Sequence, residues 1–261
     1  MADLQAAKAA VLSLDAALDQ ADEANVGSVL ERHVAPDYHW RGMHPFHEQR
    51  GAGDVANSFW APLKRAIGPW QRRPDMFLAG MNQLDDGASL WVAEMGHLMG
   101  MWDAPWLGIA PSRKLSFLRY AEFHRVQDGR IAETASYFDV LNFLSLAGHA
   151  TVPSVTGIET LSPGPRTHDG LLHAPQDPVE GKTTVDLISA MVTDLRANTV
   201  QSPGDHIARF WTPDMCWFGP GGIGASGFFD GYRRGHAWRA GSWAHPQSAR
   251  QLVRQARSSA K

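Results

Sequence analysis

The chain has 261 residues, a formal net charge of −3 and 44% hydrophobic residues. That length allows one large domain or two of ordinary size. The charge gives no general attraction to nucleic acid, and no apolar run approaches the ~20 residues of a membrane span. A single cysteine, Cys216, cannot form an internal disulfide and predicts a reducing, cytoplasmic setting. The N-terminus lacks the basic, apolar and small-residue succession of a secretory leader. Ten tryptophans predict an aromatic-lined cavity or interface, or plain core packing.

Residues 4–33 read as helix, with Leu12, Leu18 and the Val26, Val29, Leu30 group at helical spacing and Asp22 and Asn25 placed to cap a break. A short strand follows the Pro36-Asp37 turn, running through His39 and Trp40 to Gly42. A loop then carries His44 and His47. From Gly51 to Ile67 the pattern is helical again, with Val55, Phe59, Leu63 and Ile67 on one face. Phe77–Gly80 and Ser89–Trp102 read as strands joined at Asp85-Asp86-Gly87.

Two further strands, Lys114–Val126 and Arg130–Val140, meet at Asp128-Gly129, a pair suited to a type I′ turn. Alternation puts Ile131, Glu133, Ala135, Tyr137 and Asp139 on one face of the second arm. It also separates Glu122 and His124 from Arg119 and Arg125 on the first. The apolar stretch Val140, Leu141, Phe143, Leu144 then closes the hairpin as a helix. The order of elements predicts an α+β layer arrangement.

The pattern Phe123-x-Arg125-Val126-x-Asp128-Gly129-Arg130-Ile131-x-Glu133, followed by Asp139 and a Leu-rich end, resembles the SnoaL-like polyketide cyclases of the nuclear-transport-factor-2-like, or ketosteroid-isomerase-like, superfamily. Upstream, Gly96-His97 with Gly100 and the run Trp106 to Pro111 fit the same family, and the resemblance spans roughly residues 10–147. It departs at Ser112-Arg113 and at Ala135. The resemblance implies a cone: a curved antiparallel sheet wrapped around the N-terminal helices. It also implies an aldol-type cyclisation or isomerisation of a small carbonyl compound, with Asp139 as general acid/base and a homodimer as the assembly.

Residues 148–180 are rich in proline (Pro153, Pro163, Pro165, Pro175, Pro178) and read as a linker or irregular packing arm. Beyond it a partial second module is expected over 181–232. It begins with a helix from Thr184 to Asn198. The run Trp211 to Gly219 then echoes Val34 to Gly42 through a shared P-D-x-x-W-x-G, offset by 177 positions from Pro36 to Pro213, which is an internal repeat. From Gly231 onward the charged residues are all basic, so 233–261 is expected to be poorly ordered. The second copy is shorter than the first, which suggests truncation relative to longer relatives. An intact-mass measurement on protein from the natural source tests this.

Several residues can carry chemistry, each against a plainer role. Asp139 is the expected base, because an apolar cavity raises a carboxyl pKa toward neutrality; otherwise it caps the following helix. Glu122, His97 and His39 are expected to assist as catalytic residues. Trp40, Trp60, Trp91, His124 and Tyr137 are expected to line the substrate pocket. The alternatives are solvated positions on the convex face for Glu122 and His124, and a sheet histidine for His97. No cofactor and no metal is expected: His39, His44 and His47 lack a standard ligand spacing. The G-x-G-x-x-G run Gly219 to Gly224 has no acid about twenty residues on, so it does not read as a dinucleotide site. The basic tail lacks the aromatic platforms of a nucleic-acid binder. The expected partner is therefore a small-molecule substrate, with no nucleic acid and no membrane. Alternatives are a non-catalytic pocket protein, a dimerisation module and an inactive remnant of a tandem protein, since fold does not decide function.

Overall fold

The N-terminal helix begins where Asp3 accepts the backbone N–H groups of Gln5 and Ala6, satisfying donors that a helix start leaves orphaned. This helix, α1 (Leu4–Gln20), buries Ala7, Val11, Leu14 and Leu18. The expected break follows: the Asp22 carboxylate takes the N–H groups of Ala24 and Asn25 and α2 (Val26–His33) restarts. The computed structural model describes residues 3–149, 164–198 and 207–232. These fall into two units, one holding 3–149 with 164–175 and the other 176–198 with 207–232. The expected disorder of 233–261 lies outside the described residues, as do Pro153 and Pro163.

In the first unit, β1 (Val34–Gly42) and β2 (Glu48–Arg50) form a hairpin. A helical run follows as α3 (Ala52–Val55), a π turn at Ala56–Trp60 and α4 (Ala61–Ile67). Val55, Phe59, Leu63 and Ile67 are all fully buried, so the predicted stripe survives the π turn. Four long strands complete the unit: β3 (Trp70–Met81), β4 (Leu90–Met101), β5 (Leu115–Gln127) and β6 (Arg130–Phe138), followed by α5 (Val140–Leu146). β3 is longer than the sequence suggests because a bulge between Pro74 and Met76 accommodates a residue that cannot donate to the ladder. The β5–β6 turn has positive φ at both Asp128 and Gly129, as a type I′ turn requires.

The sheet order is β2-β1-β6-β5-β4-β3. Only β1 and β6 run parallel, so the sheet is mixed rather than wholly antiparallel. It is a curved, unclosed sheet with helices on one face, the expected cone. Burial identifies the inner face: Val92, Leu98, Leu118, Tyr120 and Phe138 are each at most 1% exposed. By alternation, Tyr38, Trp40, Arg72, Glu94, Glu122, His124, Thr134 and Ser136 share it. The odd-numbered residues of β4 and β5 lie on the outer face. Ile131 is an exception to its strand's alternation, because a bulge between it and Glu133 turns it inward.

Part of the predicted linker is structural. Phe77 donates its N–H to Gly170 O at 2.8 Å, and Leu172 returns one to Phe77 O at 2.8 Å. The arm thus covers the open edge of β3, which would otherwise present unpaired backbone. The Lys8 ammonium fastens it further by donating to Leu172 O and Ala174 O.

The second unit contains α6 (Pro178–Asn198), the hairpin β7 (Cys216–Phe218) and β8 (Ala225–Gly227), and α7 (Phe229–Tyr232). Its hairpin repeats that of the first unit pair for pair. His39↔Arg50, Trp40↔Gln49 and Arg41↔Glu48 become Cys216↔Gly227, Trp217↔Ser226 and Phe218↔Ala225. Gly42 N–H to His47 O and Gly219 N–H to Gly224 O measure 3.1 and 3.2 Å. In both copies the tryptophan ring lies over the glycine two residues on, where a Cβ would collide with it. Helix α7 likewise stands where α3 stands, 177 positions earlier.

Candidate active site

A cluster of ionisable side chains gathers on the inner face of the first unit. Asp15 projects from the apolar stripe of α1, where Val11, Leu14 and Leu18 are its neighbours. Arg72 of β3 reaches it at 3.1 Å and also contacts Asp19 at 3.2 Å and Glu94 at 3.6 Å. Its guanidinium lies 5.2 Å from the centre of the Tyr120 ring. Burial works against this charge, but Asp15 and Glu94 outweigh it and hold the Arg72 pKa well above its usual value.

Glu94 joins Arg72 to His124, whose Nε2 stands 3.4 Å from Glu94 Oε1. The other His124 nitrogen, Nδ1, is 3.0 Å from Thr134 Oγ1. Glu122, two residues before His124 on the same face, accepts a short hydrogen bond from Ser136 Oγ. Ser136 in turn accepts one from Trp40 Nε1 at 2.8 Å. The result is a linked set of polar groups running from α1 through β3, β4 and β5 to β6 and β1. Glu94, Glu122 and His124 are each at most 3% exposed.

The electrostatics follow from enclosure. Burial penalises the charged form, so the Glu122 carboxyl is pushed up to about 7, with His124 opposing the rise. Asp15 is pushed up to about 8, first by burial and then by Glu94. Glu94 is raised for the same first reason, and burial lowers His124. Near neutral pH the set therefore holds carboxyls poised to exchange protons beside an uncharged imidazole. Glu94, Glu122 and His124 each bring a donor atom within 4.8 Å of the others, a spacing a metal ion would accept. Arg72 already occupies the place of countercharge at Glu94, however, and a second cation there would be repelled.

The predicted site residues separate into two groups. Glu122, His124, Trp40 and Trp60 are inside, so the solvated-face alternative for Glu122 and His124 is corrected. Asp139, His97, His39, Trp91 and Tyr137 are not, and their expected place in an inner pocket is corrected too. Asp139 pairs with Arg119 of the outer face at 2.6 Å and caps α5 by accepting the Asn142 N–H. The strand ends at Phe138, so the carboxylate falls in the outer register, and the capping role prevails. His97 also lies on the outer face, its Nδ1 3.2 Å from Asp75 Oδ2. His39 pairs with Glu48 at 3.0 Å. Trp91 donates to Ser89 Oγ, and Tyr137 is 57% exposed, set edge-on against Phe123.

Asp15, Arg72, Glu94, Tyr120, Thr134 and Ser136 escape a sequence reading centred on the hairpin. One signal was available: Lys8 and Asp15 interrupt an otherwise apolar helical stripe, and both are buried. A charged residue in such a stripe demands a partner.

Trp40, Phe59, Phe138 and Trp60 fill the other end of the inner face in mutual ring contact. Trp106, from the loop between β4 and β5, stacks on Phe46 at 6.0 Å and meets Phe143 edge-on at 5.6 Å. No helix among the described residues is long and apolar enough to cross a membrane.

No family model matches the chain, and no curated protein matches it. Solved structures similar to it include a candidate SnoaL-like polyketide cyclase from Jannaschia sp. CCS1, at 19% identity and a TM-score of 0.45, covering 59% of this chain and 98% of that one. A nuclear-transport-factor-2-like protein from Burkholderia thailandensis E264 is 20% identical, with a TM-score of 0.40, over 55% and 97% of the two chains. A candidate polyketide cyclase from Xanthomonas campestris pv. campestris is 16% identical, with a TM-score of 0.43, over 56% and 100%.

Proposed function

We propose that the first unit is an acid–base enzyme of the cyclase or isomerase kind, acting on a small carbonyl compound against the inner face of the sheet. The observation that carries this reading is Glu122: a fully enclosed carboxyl brought to about 7, held by Ser136 beside a neutral histidine. A carboxylate with that affinity for protons can remove one from a carbon between two carbonyls at neutral pH, and return it later. In a cyclisation, the enolate carbon forms the new bond to a second carbonyl. The oxygen of that carbonyl then receives the proton from Glu122. In an isomerisation, the proton returns to a different carbon. Arg72 brings positive charge to the same face, whose influence reaches Glu122 and which can offset negative charge developing on oxygen.

The test is ring closure and α-carbon deuterium exchange of a 3,5-dioxo ester, followed by NMR in heavy water. The wild-type protein is expected to accelerate both over buffer, and Glu122→Gln to lose about 100-fold or more of that rate. Equal rates for the two proteins would remove Glu122 from the chemistry. The close-packed Trp40, Phe59 and Phe138 rings favour a second reading, a non-catalytic interaction module whose interior is filled by its own side chains. No acceleration by the wild-type protein would select it.

A further inference from the structure

The second unit holds an open cleft of about 500 Å³, a volume in the range of small-ligand sites. Its walls include Ala208, Trp211, Pro213, Phe228, Phe229 and Asp230. The Trp211 ring is fixed in place: its Nε1 donates to Met191 Sδ of α6 at 3.0 Å, and Tyr232 meets it edge-on at 4.9 Å. Phe228 is 65% exposed and has a φ of 59°, in the left-handed region that a bulky side chain rarely adopts.

The internal repeat accounts for that backbone but not for the side chain. Phe228 stands 177 positions after Gly51, whose φ is 78°. The two N–H groups make the same bond, Gly51 to Tyr38 O at 2.8 Å and Phe228 to Met215 O at 2.7 Å. Glycine takes this conformation freely. Phenylalanine takes it under strain and leaves an apolar ring in water as well. Strain retained beside a cleft is a mark of function.

Charge and the first copy together specify the ligand. The charged side chain among the described lining residues is an acid, Asp230, which disfavours an anion. Arg209, next to Ala208, has its charge met by Asp194. Aromatic faces attract cations, and the flat guanidinium stacks on them. Ala208 and Trp211 are the counterparts of Glu31 and Val34 at the same offset of 177. In the first copy Arg130 Nη1 donates to the carbonyl oxygens of those two residues, at 3.4 and 3.0 Å. A guanidinium therefore already sits at the matching place in the first hairpin.

We propose that this cleft is a guanidinium-binding site, with Trp211, Phe228 and Phe229 as its aromatic walls and Asp230 as its countercharge. The group is carried either by a free small molecule or by an arginine of the basic segment 233–261. The site shares no residue with the Glu122 cluster.

The experiment follows the Trp211 indole N–H by 1H–15N spectroscopy of the full chain, assigned with Trp211→Phe, as butylguanidinium is added. The resonance should move saturably, and butylurea, of similar shape but uncharged, should bind about tenfold more weakly or worse. Phe228→Gly and Asp230→Asn should each weaken butylguanidinium binding by a similar factor. Glycine suits this backbone, so Phe228→Gly should keep the Trp211 resonance of the folded protein. A full-length chain with Arg233, Arg234, Arg239, Arg250, Arg254 and Arg257 changed to Gln separates the two sources. Tighter binding of the probe to that chain assigns the site to the protein's own arginines, and unchanged binding assigns it to a free ligand. A Trp211 resonance that butylguanidinium moves in neither chain would overturn the proposal. So would equal binding of butylurea, or full binding by Phe228→Gly.

Discussion

Replacing Glu122 with Gln tests the electrostatic reasoning most directly, because a site built for proton transfer should cost the fold stability. The Glu122 carboxyl rises from an ordinary value of 4.5 to about 7 in the folded protein. Between those pH values the folded chain keeps a proton that the unfolded chain has lost, so stability falls as pH rises through this window. Below about 4.5 the penalty is absent; above 7 it reaches roughly 3 kcal/mol. Gln does not titrate, and its carbonyl oxygen still accepts from Ser136. Allowing about 1 kcal/mol for an imperfectly seated amide, Glu122→Gln should be roughly 2 kcal/mol more stable than wild type at pH 8. At pH 4.5 it should be equal or slightly less stable. Urea unfolding followed by tryptophan fluorescence at the two pH values measures the difference. A gap that does not widen toward alkaline pH would refute the claim that burial holds this carboxyl neutral.

Asp15→Asn should act in the same direction over a window reaching to about 8, flattening the alkaline decline in stability; an unchanged pH–stability profile would argue against a protonated Asp15. Asp139→Ala removes the α5 cap and the Arg119 partner together, and should cost about 2–3 kcal/mol in denaturant unfolding. It should leave the exchange rate per folded molecule within about threefold, and a much larger loss of rate would restore Asp139 to the chemistry. Gly42→Ala and Gly219→Ala each push a Cβ into a tryptophan ring, at roughly 1–3 kcal/mol. Limited proteolysis should find the first change in the first unit and the second change in the second, and identical cleavage patterns would show that the two hairpins are not equivalent packing units.

Local chemistry was legible without coordinates. The Asp128-Gly129 turn needs only two residues that tolerate positive φ. The four-residue spacing of Val55, Phe59, Leu63 and Ile67 needs only a helix with one side covered. The repeat of P-D-x-x-W-x-G needed no structure to be seen, and the backbone hydrogen bonds of the two hairpins reproduce it at the same offset. The strand carrying Pro74 extends further than its composition implies, because a bulge that rescues a proline leaves no simple mark there.

What the chain alone determined was which residues share a face: Glu122 with His124, Arg119 with Arg125, Glu94 opposite His97. Alternation follows from strand geometry and depends on nothing distant. Which of the two faces would be shut away from water was decided only when α1 and its Asp15 packed against β3 to β6. Burial is a property of what lies opposite, contributed from far along the chain, and it is burial that turns Glu122 into a candidate base and leaves Asp139 a helix cap bound to Arg119.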